Sequence, residues 1–492
     1  MDATRTPVIV GVGQVNDRAG DCEGLDPPGL MQAALRAADA DAGGGWLGQV
    51  DSLSVVAQIS FPELGDLSGP LAAALGASPR HAMQTRYPMG DGPVLLLDEA
   101  ANRIAAGTSE VAAIVGGEAL RTAAKRAQKA SIDAVRTSAT RAAKPYRQRY
   151  GLVAPTDIYP LYENACRAAW GQSLAEGQAE SASIWSAFSQ VAAANPDAWL
   201  RRPVTAEDVL AVSADNRPIA FPYTKLMVAN SSVNQGAGFI VASLAKARAM
   251  GVVEDRIIYV GRGAGAREPG EVLARDGYTR SASMEATLRS VLAFNGAEAS
   301  EFDAVELYSC FPCVPKMARR TIGWPLDKAM SVVGGLTFGG GPVGNYMSHA
   351  VGAMAGVLRA GGTTGLLFGN GGYATTSHAI VLSRDDRFAR RQPEAFNVQA
   401  GADASRGAAP AVNETYEGAA SIESYTVFYA RSGAPASGVV VARTPTGERT
   451  LATVARDDAD VITWLTSGAA EPVGAVGMIR AGEDGLMHWR MG

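Results

Sequence analysis

The sequence predicts an α/β protein of two similar halves, with helices on both faces of two mixed sheets, followed by a small β-barrel of OB-like type. Three observations carry that expectation. Two segments share one pattern, "LDEAANRIAAGTSEVAAIVGGEA" from Leu97 and "HAVGAMAGVLRAGGTTGLLFGNGGYA" from His349. Each reads as an Ala-rich helix, a glycine stop, a short apolar strand and a Gly-Gly pair. Each half also opens on a similar strand, "PVIVGVGQV" from Pro7 and "RIIYVGRGAGA" from Arg256. After about residue 405 the chain becomes a series of short alternating strands separated by turns.

Length and composition set the bounds. A chain of 492 residues is too long for one ordinary core, so two or three domains are expected. With 47% hydrophobic and 19% charged residues it has the balance of a soluble globular protein. A net charge of -5 argues against nucleic acid as its main partner. No run reaches the roughly 18 apolar residues that a membrane span needs. The opening "MDATRTPVIVGVGQV" starts acidic and enters a strand at once, unlike a secretory signal. Four cysteines (Cys22, Cys166, Cys310, Cys313) in so long a chain fit a reducing compartment, and the cytoplasm is the expected location.

The first half spans residues 1–250. After its opening strand, "RYPMGDGPVLLLDEAANRIAA" from Arg86 reads as a turn and a helix, with Asp91 at the N-cap and Pro93 in the first turn. Such an elbow suits a nucleophile, because the helix dipole and free N–H groups stabilise negative charge. It holds Met89, a thioether with no proton to lose, which reads as a buried gap-filler. Residues 120–218 form an insertion. It opens with Arg121, Lys125, Arg126, Lys129, Arg136, Arg141, Lys144, Arg147 and Arg149 against Asp133 alone. Helical segments follow, "YPLYENACRAAWGQSLAEG" and "ESASIWSAFSQVAAANPDAW".

The second half covers 251–386, and the polar stretch 387–404 reads as a linker. Residues 405–492 then supply the strands "SYTVFYARSG", "SGVVVARTPTGERTLATVAR", "VGAVGMIRAG" and "LMHWRM", with one helix in "DDADVITWLTSG". A separately folding barrel is expected there. Its aromatic residues Tyr425, Phe428, Tyr429, Trp464 and Trp489 are of the kind that stack on bases. Acidic residues outnumber arginines in the segment, however, and repel phosphates. Contact with the body or with a protein partner is therefore the expected job, not nucleic-acid binding.

Seven segments in register resemble the thiolase superfamily, over residues 7 to about 385. "PVIVGVGQV" is similar to that family's first strand. "MGDG" from Met89 stands where the family has Cys-Gly-Ser-Gly, and "VGGEAL" where it has Gly-Gly-Met-Glu. "NSSVNQGAG" from Asn230 resembles Asn-Ala-Ser-x-x-x-Asp-Gly-Ala, with Gln235 for Asp. "VELYSCFPC" from Val305 resembles the strand-end motif Glu-x-Asn-Glu-Ala-Phe or His-Asp-Cys-Phe. "GGLTFGGGPVG" from Gly334 resembles Gly-Gly-x-x-x-x-Gly-His-Pro-x-Gly, and "GNGGY" from Gly369 resembles Cys-x-Gly-Gly-Gly. The added barrel is similar to that of the thiolase-like proteins of type 1, chains often called acetyl-CoA acetyltransferases. The resemblance implies duplicated halves in five layers, α-β-α-β-α, and a coenzyme A thioester as ligand. By family habit the chain pairs into a dimer, although an appended barrel leaves a monomer open.

The resemblance also assigns the site residue by residue. The nucleophile falls on Met89, the base histidine on Gly341, the second cysteine on Gly369 and the Asn or His of the strand-end motif on Tyr308. None of these has the chemistry that Claisen catalysis needs. The implied function is a thiolase-like protein of acyl-CoA and lipid metabolism that holds acyl-CoA or a related ligand, with no covalently bound cofactor. Two alternatives stand beside it: an acyltransferase using His349 and Cys310 as substitutes, and a structural partner in a multi-enzyme complex. Arg121, Lys125, Arg126 and Lys129 are the candidates to meet coenzyme A phosphates. Cys310 and Cys313 lack two further ligands for zinc and a thioredoxin-like context, so they read as packing and no metal is expected. Asn345 and Asn370, beside the two glycine-rich loops, are candidate hydrogen-bonding groups.

Overall fold

The computed structural model describes residues 2–18, 23–131 and 144–491, without the side chains of 128–131. In the first half, apolar runs bounded by turn residues form β1 (Pro7–Asn16), β2 (Ser52–Val55), β3 (His81–Gln84) and β4 (Val111–Ala119). A small hairpin, β5 (Pro218–Ala220) and β6 (Tyr223–Thr224), follows the insertion before β7 (Asn234–Ser243) closes that half. The second half supplies β8 (Ile258–Arg267), β9 (Ala304–Glu306), β10 (Thr364–Gly371) and β11 (Thr376–Ser383).

The strand orders repeat. β1-β7-β4-β2-β3 in the first half matches β8-β11-β10-β9 in the second. In both, the opening strand lies antiparallel to the closing one, which is antiparallel to its next neighbour, and the strands beyond are parallel. One detail differs from the expected pair of separate sheets. β1 and β8 pair through Val8 with Tyr259 and Ile9 with Ile258, so one ladder runs through all nine strands. Each is the edge of its own half, and the pairing satisfies backbone groups that an open edge leaves exposed.

The layers follow from which helices are buried on most of their surface. Helix Pro27–Asp41 covers the outer face of the first half-sheet, and Ala282–Asn295 that of the second. Between the half-sheets lie two central helices, Gly92–Ala106 and Tyr346–Arg359, in contact with each other and with strands of both halves. Each ends as the sequence indicates, the first on Gly107 with a left-handed φ of 74° and the second just before Gly361.

The insertion is tied to the second half by buried charge. Lys316, fully buried, meets Glu163 at 2.5 Å, and the Tyr223 hydroxyl donates to the same carboxylate at 2.9 Å. Arg319 and Arg320 both reach Glu180 at 2.7 Å. The stretch 387–404, expected as a linker, is mostly exposed or half-buried but is anchored to the body at a few points. Its Arg390 is buried and pairs with Asp98 of the first central helix at 2.5 Å, while Phe396 sits edge-on to His378. A buried cation needs a buried partner, and Asp98 supplies it.

The C-terminal strands β12 (Gly418–Tyr429), β13 (Pro435–Arg443), β14 (Arg449–Val454), β15 (Val476–Ala481) and β16 (Met487–Met491) close into a barrel in the order β12-β13-β14-β16-β15-β12. β14 and β16 are parallel, and helix Ala459–Ser467 lies between β14 and β15 in sequence. The barrel does not stand apart. β5, which follows the insertion, adds to β12 at Ala220–Phe428. Asn164 donates to the Tyr425 carbonyl at 2.9 Å, Ser424 to the Leu161 carbonyl at 2.6 Å and Thr426 to the Phe221 carbonyl at 2.8 Å. Tyr425, Val427, Val441 and Trp489 belong to the same apolar cluster as Tyr159 and Leu366 of the body.

A core shared in this way argues against the expected autonomy of the barrel, since a small domain stripped of its partner surface buries too little to fold. Residues 405–492 expressed alone should therefore show no cooperative thermal transition by circular dichroism, whereas the whole chain melts barrel and body together. A fragment with its own sharp transition would restore the autonomous domain.

Candidate functional site

A cavity of about 470 Å³ opens where the turns preceding the two central helices meet the insertion. Pro88, Met89 and Gly90 come from the first turn, and Gly341 and Val343 from the second. Tyr308 and Cys310 follow β9, Asn370 to Gly372 end β10, and Pro155 and Tyr159 come from the insertion. Three of the four positions assigned by resemblance line this cavity, and Gly369 is adjacent to it in β10. The structure thus brings the assigned set together.

Met89 is half-buried and faces the cavity, not the core filler the sequence suggested. Tyr308 has a φ of 50°, a conformation costing about 1–3 kcal/mol for a non-glycine residue. Its ring packs edge-on against Tyr346, centroids 5.7 Å apart. A Cβ on Gly90 would collide with the Tyr308 hydroxyl and the Asn370 carbonyl, so the elbow needs glycine there. Gly369 is equally constrained, because a Cβ would stand 2.7 Å from Asp91 Cα. Gly341 donates its N–H to the Asn230 carbonyl at 2.8 Å and offers no side chain.

Asp91 occupies the N-cap position, but its carboxylate does not cap the helix. It turns away to accept from Thr376 Oγ1 at 2.5 Å, and burial raises its pKa. Cys310 is buried on the cavity wall, 4.0 Å from Asn370 Nδ2, and burial pushes its thiol up to about 12. Cys313 is buried behind it, its sulfur 3.7 Å from the Tyr159 carbonyl. His349 lies elsewhere: buried in the second central helix, its Nδ1 bonds Gln14 at 2.8 Å, and burial lowers its pKa to about 3. The two substitutes are therefore not brought together; Cys310 reaches the cavity and His349, held neutral, does not.

Asn370 donates to the Tyr159 hydroxyl at 2.8 Å. That hydroxyl donates to the Gly372 carbonyl at 3.0 Å and accepts from the Ala374 N–H at 2.9 Å. Asn345 sits apart, its amide donating to the Ala237 carbonyl at 3.4 Å. The basic run divides. Arg121 lies over Trp199, Arg126 lies over Phe61 on a different surface cavity, and Lys125 is exposed. None of these three lines the cavity. Arg149 pairs with Glu414 at 2.5 Å and Arg147 with Glu271 at 3.4 Å. The Lys129 side chain, Arg136 and Arg141 lie outside the described residues.

Sequence reasoning missed Tyr159 and Glu306. Glu306 accepts from Ser331 at 2.7 Å, from the Val332 N–H at 3.1 Å and from the hydroxyl of Tyr346, the ring behind Tyr308, at 3.1 Å. Burial pushes it up to about 7. A lone carboxylate inside the apolar strand "AVELY" was its signal.

A family model described as "Thiolase-like protein type 1 additional C-terminal domain" matches residues 398–484. The fold is similar to that of a monomeric SCP2-thiolase-like protein type 1 from Mycobacterium smegmatis, at 30% identity and a TM-score of 0.82, covering 99% of each chain. The Ltp2–ChsH2(DUF35) aldolase matches 78% of this chain and 99% of its own at 18% identity and a TM-score of 0.59. Human mitochondrial 3-ketoacyl-CoA thiolase in complex with CoA matches 77% of this chain and 98% of its own at 14% identity and 0.58. These last two share the fold. No curated protein matches the chain.

Glu306 gives the site a pH dependence with a definite sign. Its pKa is raised in the fold, so the folded chain keeps a proton that the unfolded chain releases. The resulting stability is full below the ordinary 4.5 and is lost as pH rises through about 7. Glu118, also pushed by burial to about 7, works in the same direction. Between those limits the wild type should lose roughly 3 kcal/mol relative to Glu306→Gln. Denaturant melts of both proteins at pH 5, 6, 7 and 8 check this, and parallel pH profiles would contradict it.

Proposed function

The chain belongs to the SCP2-thiolase-like proteins of type 1, and from that premise we propose that it binds a coenzyme A thioester, or a ligand of the same form, without thiolase chemistry. The observation that carries the reading is Met89 at the elbow over the cavity, with glycine at positions 341 and 369 beside it. Claisen chemistry needs a thiolate to take the acyl group and a base to move the α-proton. A thioether supplies neither. Burial pushes the Cys310 thiol up to about 12, which keeps it protonated at neutral pH, and His349 does not reach it.

What remains is a binding site. A mostly apolar cavity of about 470 Å³ with a few convergent polar groups is within the ordinary range for small-molecule ligands. The dipole of the central helix beginning at Gly92 favours a carbonyl oxygen or other partial negative charge near Met89. On this reading the protein works within acyl-CoA metabolism as a holder of its ligand. Ltp2 is seen with a DUF35 partner. A protein partner of this chain would use the outward face of the barrel, because the insertion and the second half cover the inner one.

Purified protein should not thiolyse acetoacetyl-CoA, followed by loss of the enolate absorbance. Met89→Cys should not restore the reaction, since Gly341 and Gly369 still lack the base and the second thiol. Calorimetric titration with acetyl-CoA should show binding, and intact mass should show no acyl adduct. Turnover within tenfold of an ordinary thiolase would overturn the reading, and so would failure to bind any coenzyme A thioester.

A further inference from the structure

The barrel supplies no side chain to the cavity, yet two buried arginines connect them. Arg449, fully buried at the start of β14, spans two bodies. Its Nε and Nη2 grip Glu423 of β12 at 2.8 and 2.6 Å. Its Nη1 donates to the carbonyls of Leu273 at 2.5 Å and Arg275 at 2.7 Å, in the second half. Arg275, also buried, points onward. Its Nη1 donates to the carbonyls of Tyr373 and Ala374 and to the Tyr162 hydroxyl, and its Nη2 to Thr375 Oγ1 at 2.9 Å.

Apart from Tyr162, which is in the insertion, those acceptors are the back of the turn whose front, Gly371 and Gly372, is cavity wall. The turn is bent in a way the chain does not favour: Gly372 has a φ of 64° and Ala374, which is not glycine, a φ of 55°. Such conformations persist only where surrounding groups over-determine them. Tyr159 holds the turn from the cavity side and Arg275 from behind.

We infer that Arg275 is a positioning residue for the cavity wall and that Arg449 positions Arg275, so that the barrel sets the shape of the ligand cavity through two buried guanidinium groups. A guanidinium fixes several acceptors in one plane, which a flexible ammonium does not. Burial makes each bond obligatory, because an unpaired buried cation or carbonyl is costly. A barrel that merely shielded the apolar side of the insertion would need neither arginine.

The test is hydrogen exchange by mass spectrometry on the full chain, comparing wild type with Arg449→Met, Arg449→Lys and Thr375→Val. Exchange over 371–376 should quicken at least tenfold in Arg449→Met and in Thr375→Val, while β4 and β7 stay as in wild type. Only Arg449→Met should also loosen β12 to β14, and Arg449→Lys should recover part of the protection. If Arg449→Met does not fold, Glu423→Gln is read in the same way. A folded Arg449→Met or Glu423→Gln whose 371–376 segment exchanges as in wild type overturns the inference. So does a loss of protection spread evenly through the chain. The ligand arm rests on the proposed function: acetyl-CoA affinity should fall fivefold or more in Arg449→Met and Thr375→Val. If wild type does not bind acetyl-CoA, that function fails while the exchange data still decide this inference.

Discussion

The two central helices have a sheet on either side and each other alongside, so most of each is buried and only a narrow side, with Glu99 and Arg103 in the first, reaches water. That constraint explains their composition. Ala100, Ala101 and Ala105 in the first, and Ala350, Gly352 and Ala355 in the second, keep them narrow enough for both half-sheets to close on them. Elements near them accommodate the same crowding. A Cβ on Gly116 of β4 would strike the Asn345 side chain, and one on Gly344 would strike Pro88. The turns that precede the two helices therefore approach each other closely, and the gap left between them is the cavity. Asp98 is the one carboxylate buried inside the first of these helices, and Arg390 and His378 hold its pKa down against the pull of burial.

In this packing two of the four assigned positions have little freedom. Here Gly369 leans its backbone on Asp91, and a side chain there has no room. Tyr308 lays its hydroxyl over Gly90 in a backbone conformation that only dense surroundings sustain. Glu306, bonded to Tyr346, braces the ring behind it. Returning one thiol to position 89 leaves all of this in place. The result is a shaped apolar cavity beside which a side chain at position 369 would need backbone to move.

Much of this was legible in the sequence, for local reasons. The repeated helix–glycine–strand pattern belongs to single elements, and both copies form as read. β12 to β16 fall where alternation and turn residues place them, since each strand declares its own two faces. The convergence of Met89, Tyr308, Gly341 and Gly369 was legible only through resemblance, because no local signal joins residues 89 and 341. What the sequence misled on was contact. Asp91 has the look of a cap and is drawn off by Thr376, 285 residues away. His349 reads as a helix residue beside a glycine-rich loop, yet its ring faces Gln14 across the layer. The polar stretch 387–404 carries linker composition, but Arg390 finds a buried carboxylate that no local pattern announces.

The same long-range charge explains why the barrel could not be judged from its own residues. Its segment reads as self-sufficient, with alternation, turns and a helix in the expected places. Its attachment to the rest of the chain, however, is written in ions: Arg449 between Glu423 and two body carbonyls, and Arg167 of the insertion against Glu471. Buried ion pairs contribute little net stability against an apolar replacement, because desolvation offsets most of their attraction. Their directional bonds do something apolar contact does not, which is to leave one acceptable geometry. A junction meant only to be stable would be well served by leucines. One that carries fully buried arginines from the barrel to the back of the cavity wall is built to hold a particular arrangement, and the left-handed Ala374 is the residue that requires it.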